Sequence, residues 1–226
     1  MRHPSLARGK AREGKAALSK LLSRDFAFAR GETALLFVDL QRQFLIPGLE
    51  HPEIGADHYF HRRVRDVVLP NAARLMHAAR AAKIEVVYTV IESLTKDGRD
   101  RSLDHKLSNI HLPKGHPDAR VVEDISPDDD DIVLRKTSSG VFNSTNIDYV
   151  LRNLGIRALI VSGCLTDQCV DMAVRDGADK GYLVTLIADA CATHSAERHE
   201  AALRAFGGYC RVTDTSDVVT RLKAIP

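Results

Sequence analysis

Residues 157–190 read RALIVSGCLTDQCVDMAVRDGADKGYLVTLIADA. RALIVSG is a short apolar run that stops at a glycine, the signature of a buried strand. Residues 167–180 read as a helix, and YLVTLIADA is a second apolar strand. Strand, helix and strand in so few residues describe a parallel crossover unit.

The same alternation extends outward in both directions. Upstream, TALLFVDL (33–40) is a buried strand that runs into an acidic residue. VRDVVLPNAARLMHAARAA (64–82) carries Val68, Leu69, Ala72, Leu75, Met76 and Ala79 on one helical face. Pro70 suits a first helical turn, which moves the expected start towards residue 69. IEVVYTVI (84–91) and DIVLRK (131–136) are strands. Between them, residues 92–127 have mixed polar composition and no periodicity, as expected of a functional or lid-like loop. STNIDYVLRNLG (144–155) reads as a helix capped by Ser144 and stopped by Gly155. Downstream come a helix over 196–208, a short strand near 210–213 and a final helix from Ser216.

Apolar strands alternating with amphipathic helices predict an α/β fold: a three-layer, doubly wound sheet of about six mainly parallel strands with helices on both faces. One such domain is expected over residues 31–226. Residues 1–30 form a basic arm in which Ala17, Leu18, Leu21 and Leu22 fall at helical spacing, an amphipathic helix suited to docking on the body or on a neighbouring subunit.

Composition narrows the function. The 226 residues carry a formal net charge of +2, with 44% hydrophobic and 27% charged residues. That balance calls for neither nucleic acid nor an acidic membrane as partner. Apolar runs of about seven residues are too short to span a bilayer, and the N-terminus lacks the apolar block of a signal peptide. Four cysteines (164, 169, 191 and 210) in a chain this long do not read as a disulfide framework, so a reducing cytoplasm is expected.

In a doubly wound sheet, ligands bind at the carboxyl ends of the strands. Three of those ends carry chemistry: Asp39 after the first strand, Lys136 after the third, and the Gly163–Cys169 segment after the fourth. Cys164 and Cys169 raise several readings: a disulfide, a metal pair, a redox switch, a nucleophile, or two small buried residues. Thr166 or Asp167 can cap the helix, which puts Cys169 in its first turn. There the free N–H groups and the dipole favour a thiolate and lower the pKa from its usual ~8.5. No oxidising context supports a disulfide, and the spacing is not that of a zinc pair. With a lysine to stabilise the thiolate and an aspartate to move its proton, the three residues supply what a cysteine hydrolase needs.

The segments LLFVDLQRQFL, LRKTSSGVFNSTNID, GCLTDQCV and LIADACAT, in this order over roughly residues 30–215, resemble the isochorismatase-like cysteine hydrolases. That family includes nicotinamidases, N-carbamoylsarcosine amidohydrolases and ureidoacrylate amidohydrolases. The resemblance implies Asp39, Lys136 and Cys169 as catalytic residues. It also implies a cis peptide between Cys164 and Leu165, and an oxyanion hole on the backbone N–H groups of Leu165 and Cys169. Gln41, Phe44, Glu92, Ser139 and Phe142 are expected as substrate contacts, and a homo-oligomer, dimer or tetramer, as the assembly.

Substrate is read from smaller differences. Nicotinamidases carry an Asp-x-His metal motif after the second strand. Here TVIESLTKDG stands there, with Glu92 and no histidine, so neither a metal nor another cofactor is expected. His105, His111 and His116 read as solvated loop histidines. The complete Asp–Lys–Cys set favours C–N hydrolysis over the vinyl-ether chemistry of true isochorismatases. A small ureido or carbamoyl amide ranks first as substrate. Nicotinamidase and isochorismatase-type hydrolase remain alternatives, as does a non-catalytic ligand-binding relative. The lid residues Glu92, Arg99, Arg101, Asp104 and Lys106 are either substrate contacts or surface ion pairs.

Overall fold

The computed structural model describes residues 23–226. The expected N-terminal helix around residues 17–22 lies outside them. Six strands form one sheet: β1 (Thr33–Val38), β2 (Glu85–Ile91), β3 (Ile132–Lys136), β4 (Ala158–Cys164), β5 (Leu183–Ala192) and β6 (Arg211–Thr213). Their order is β3-β2-β1-β4-β5-β6, and every neighbouring pair is parallel. β1 and β4 are buried along their whole length, because helices cover both faces.

On one face lie α3 (Leu69–Ala81) and α9 (Thr215–Lys223), whose Leu75, Met76, Val218 and Leu222 join Leu35, Phe37 and Tyr88 in one core. The other face holds α6 (Ile147–Asn153), α7 (Cys169–Asp179) and α8 (Ala196–Ala205) over Leu36, Val38, Val161 and Leu186. Phe28 is buried in the first core, so the packed body reaches back past residue 31.

Several expectations change in detail. The helix before β2 begins earlier than residue 69: α2 (Tyr59–Arg63) runs through a π-helical turn, Val64–Val68, into α3. Within that turn the Leu69 N–H donates to the carbonyl of Val64, five residues back. Pro70 follows without breaking the helix, since the widened turn absorbs the hydrogen bond a proline cannot make. Ser144 is not a cap; it ends the short helix α5 (Val141–Ser144), and Thr145 Oγ1 accepts the Ile147 N–H at 3.1 Å. Gly155, at φ +77°, does stop α6. The long loop before β3 contains α4 (Leu103–Leu107) and two 3₁₀ turns, and is hydrogen-bonded through much of its length.

The sheet order reverses between β1 and β4. Val38 stands opposite Gly163, Val38 opposite Thr89 on the other side, and Ile91 opposite Lys136. Those registers bring the carboxyl ends of four strands to one edge, at the topological switch point where such sheets bind ligands.

Candidate active site

Asp39 leaves β1 with φ +55°, a left-handed conformation that aspartate tolerates better than most residues. Its N–H donates to the Thr89 carbonyl at 3.1 Å, and the Thr89 hydroxyl donates to Oδ1 at 3.0 Å. The second carboxylate oxygen faces Lys136 Nζ at 2.8 Å, with both side chains fully buried. Nζ also donates to the carbonyls of Ser138 (2.8 Å) and Ser139 (3.3 Å) and lies 3.4 Å from Cys169 Sγ. A buried ammonium that donates to two carbonyls and a sulfur and lies in ion-pair contact with a carboxylate is the arrangement that keeps such a charge tolerable.

Gly163 allows these ends to meet. At φ +140°, a Cβ on it would stand 2.1 Å from the Val38 carbonyl oxygen. Beyond it the Cys164–Leu165 peptide is cis. Cys164 Sγ donates to the Asp39 carbonyl at 3.2 Å, which ties the two strand ends together. The helix start differs from expectation: α7 begins at Cys169 with Gln168 as its N-cap, and no side chain caps it. Thr166 instead bonds His199 at 2.9 Å, and Asp167 pairs with Arg198 at 2.6 Å. The N–H groups of Thr166, Gln168 and Val170 reach backbone carbonyls, whereas those of Leu165 and Cys169 meet no backbone acceptor among the described residues.

Electrostatics within the triad are set by burial. Desolvation raises the Asp39 carboxyl above its usual range, partly offset by Lys136. For Lys136 burial works the other way, but Asp39 and Cys169 outweigh it and hold the ammonium charged. The Cys169 thiol is pushed up to about 12, first by burial and then by the Asp39 charge, against the pull of Lys136. This corrects the expectation of a depressed thiol pKa: at a site with one cation and two acids, the resting charges are Lys⁺ and Asp⁻ with the sulfur protonated. Transfer of that proton to Asp39 conserves the total charge of the buried cluster, so the two acids titrate as a coupled pair.

Cys169 opens onto a cavity of about 240 Å³, floored by Asp39, Cys164, Leu165 and Cys169. Phe44, Ile46, Ile91 and Ile110 give it apolar walls; Glu50, His51, His58, His61, His105 and His194 supply polar ones. Of the expected contacts, Phe44 and Ser139 line this cavity. Gln41 does not: it is fully buried, donating to the Ile91 carbonyl (3.1 Å) and accepting the Ile91 N–H (2.6 Å) like one more strand residue. Glu92 accepts from the Gly115 N–H and Arg135 Nε, both at 2.7 Å, and faces a separate groove. Phe142 packs in the core beside Tyr182.

The charged lid residues are spent on the lid itself. Arg101 donates to the carbonyls of Gly98 and Ile110, Lys106 to that of Arg99, and Arg99 pairs with Asp97. His105 is fully buried, contrary to the expected solvated histidine, because α4 turns it under the lid towards Ser139 Oγ at 3.5 Å. Thr89, His61 and Glu50 carried no motif; only the strand register and the folding of the 42–63 segment reveal them. No group of three or more His, Cys, Asp or Glu side chains among the described residues is arranged to hold a metal ion.

Known proteins resemble this chain in sequence and in fold. A family model, Isochorismatase domain, matches residues 33–217. A ureidoacrylate amidohydrolase RutB of Serratia proteamaculans is 31% identical over 186 residues, spanning 75% of this chain and 73% of that protein. Its counterpart from Pseudomonas syringae pv. syringae is 32% identical over 183 residues, 74% of this chain and 72% of that one. Among solved structures, a cysteine hydrolase from Pseudomonas syringae pv. phaseolicola superposes with a TM-score of 0.76 at 26% identity, covering 88% of this chain and 96% of that one. An N-carbamoylsarcosine amidase from Thermoplasma acidophilum shares the fold, with a TM-score of 0.65 at 24% identity over 81% of this chain and 96% of that one. With its family match over the whole six-stranded sheet and relatives above 30% identity, the chain belongs to the isochorismatase family.

Proposed function

We propose that this protein is a cysteine-dependent amidohydrolase that cleaves a C–N bond of a small ureido- or carbamoyl-type amide through a thioester acyl-enzyme. The observation that carries the reading is the buried Asp39–Lys136–Cys169 cluster at the floor of the cavity, with Lys136 Nζ 2.8 Å from the carboxylate and 3.4 Å from the sulfur. The ureidoacrylate amidohydrolase relatives support the reaction class.

In this mechanism Asp39 accepts the Cys169 proton as the sulfur attacks the substrate carbonyl carbon. Lys136 balances the charge as it moves from carboxylate to thiolate. The tetrahedral oxyanion is held by the unsatisfied N–H groups of Leu165 and Cys169; one such preorganised donor is worth about 10²–10³ in rate. Asp39, now protonated, delivers its proton to the departing nitrogen, and the C–N bond breaks to leave a thioester. Water, deprotonated by Asp39, then attacks the thioester and restores the thiol.

Four free, buried cysteines support a reducing, cytoplasmic setting, and no helix among the described residues is long and apolar enough to cross a membrane. Exposed Leu103, Leu107 and Tyr149 offer apolar surface for the homo-oligomer. Ammonia release from a panel of ureido acids, carbamoyl amino acids, simple primary amides and nicotinamide tests the reading. Turnover of an amide or ureide by the wild type and its loss in Cys169→Ala are expected. Equal activity in the two proteins would rule out the cysteine mechanism.

A further inference from the structure

The cavity above Cys169 is polar but holds no fixed positive charge. Among the described residues its lining contains neither arginine nor lysine. The nearest ammonium, Lys136, lies fully buried behind the floor and is neutralised by Asp39 at 2.8 Å. Lid cations that could have reached in are bonded to the lid backbone instead. The one further carboxylate in the lining is Glu50. Ionised, Glu50 repels a second carboxylate; neutral, it offers a single O–H donor and no charge to balance one.

We propose that this cavity selects substrates whose body is uncharged: a primary amide or monosubstituted urea with a short apolar chain and no carboxylate at its far end. The inference rests on the amidohydrolase reading and narrows it. It separates this chain from its relatives, whose named substrate, ureidoacrylate, is an acid.

The histidines are the natural objection, since an imidazolium would welcome an anion, and each is accounted for. His58 Nδ1 accepts the Phe60 N–H at 3.3 Å, so that nitrogen is already occupied within the protein. His51 lies 3.3 Å from Glu53, so any charge it takes already has a partner. Burial pushes His61 down, against a backbone hydrogen bond with Leu45 and together with His58. Burial and then Lys136 push His105 down to about 4, against Asp104 and together with Arg101. His194 is lowered by burial and by Arg198, His58 and His51, with only Asp167 opposing, and Arg198 itself is paired with Asp167. Burial likewise raises Glu50 towards its neutral form. What remains is a wall of hydrogen-bonding side chains with no guanidinium or ammonium among the described residues. The Nδ1 atoms of His61 and His105 are closed off from solvent and have no protein partner among the described residues. An amide or urea, with N–H and C=O groups and no charge, suits a lining of uncharged hydrogen-bonding groups; the isoleucine and phenylalanine walls take its chain.

A matched series tests this: hexanamide, adipic acid monoamide and the methyl ester of that monoamide, alongside propylurea, N-carbamoyl-β-alanine and its methyl ester. Ammonia release by the wild type gives kcat/KM, and calorimetry on Cys169→Ala gives affinity without turnover. The uncharged members are expected to be favoured at least tenfold over the acids in both readouts, with esterification restoring what the carboxylate lost. Ile110→Arg, a partly exposed lid position on the wall, is expected to raise the acids at least tenfold. Acids used or bound as well as their neutral partners, or no binding of any neutral member, would overturn the proposal. Unchanged rejection of acids by Ile110→Arg would do so too, by showing that shape and not charge excludes them. Neutral binding to Cys169→Ala without wild-type turnover of any member would uphold the neutral cavity and count against the amidohydrolase reading. Turnover that favours the acids would do the reverse.

Discussion

Removing the Lys136 ammonium while leaving Asp39 in place probes the centre of the fold and of the site together. In Lys136→Met the carboxylate loses its 2.8 Å partner, and the carbonyls of Ser138 and Ser139 lose their donor. Breaking a buried ion pair by deleting one member costs about 3–5 kcal/mol, because the remaining charge stays desolvated. At about 2–4 °C per kcal/mol for a chain of this size, the melting temperature should fall by about 6–20 °C. The pH dependence has a defined sign. Asp39 is already raised above 3.8 by burial, and without the lysine only its hydrogen bonds with Cys169 and Thr89 oppose that shift. The native state then holds a proton that the unfolded chain releases. Stability of the variant therefore falls as pH rises from 3.8 through the native Asp39 pKa, and the full penalty is present above it. The double variant Asp39→Asn/Lys136→Met has no buried charge, and asparagine tolerates the positive φ. It should recover at least half of the lost stability and remain inactive. Urea unfolding at several pH values measures all three proteins. A loss under about 1 kcal/mol in the single variant, or a double variant no more stable than the single, would refute the reasoning.

Other expectations follow from the same geometry. Because Cys169 is pushed up to about 12, its alkylation rate by iodoacetamide should show no step near the ~8.5 of a free thiol, and a step there would contradict the assigned charge state. Activity should be lost on the acid side only, as pH falls through the raised Asp39 pKa and the base becomes protonated. Gly163→Ala forces a Cβ to 2.1 Å from the Val38 oxygen and should cost about 3 kcal/mol or more, read as loss of soluble protein or of melting temperature. Gln41→Leu leaves the Ile91 N–H and carbonyl unpaired and should cost about 2–4 kcal/mol in urea unfolding. Glu92→Gln, outside the cavity and paired with a half-exposed Arg135, should leave kcat/KM within about twofold.

Much of this was legible because the sheet is parallel and buried. Strands such as TALLFVDL and RALIVSG are apolar throughout, and their last residues fall at one edge by topology, so Asp39, Lys136 and Cys169 can be placed together without a structure. The contacts that depend on three-dimensional partners were not legible. Gln41 reads as a polar loop residue, yet it completes the ladder beside Ile91. His105 reads as one of several loop histidines until α4 turns it inward. A helix start, visible in sequence, predicts a lowered thiol pKa, whereas burial beside a carboxylate, invisible there, raises it more. The earlier helix start at Tyr59 was hidden by Pro70, since nothing local announces a π-helical turn.

The most direct measurement is intact-mass spectrometry of enzyme quenched in acid during turnover of an amide or ureide it hydrolyses. A population heavier by one acyl or carbamoyl group, mapped by peptide digestion to Cys169 and missing in Cys169→Ala, is the predicted result. Full turnover with no adduct at Cys169, or undiminished turnover by Cys169→Ala, would contradict the account.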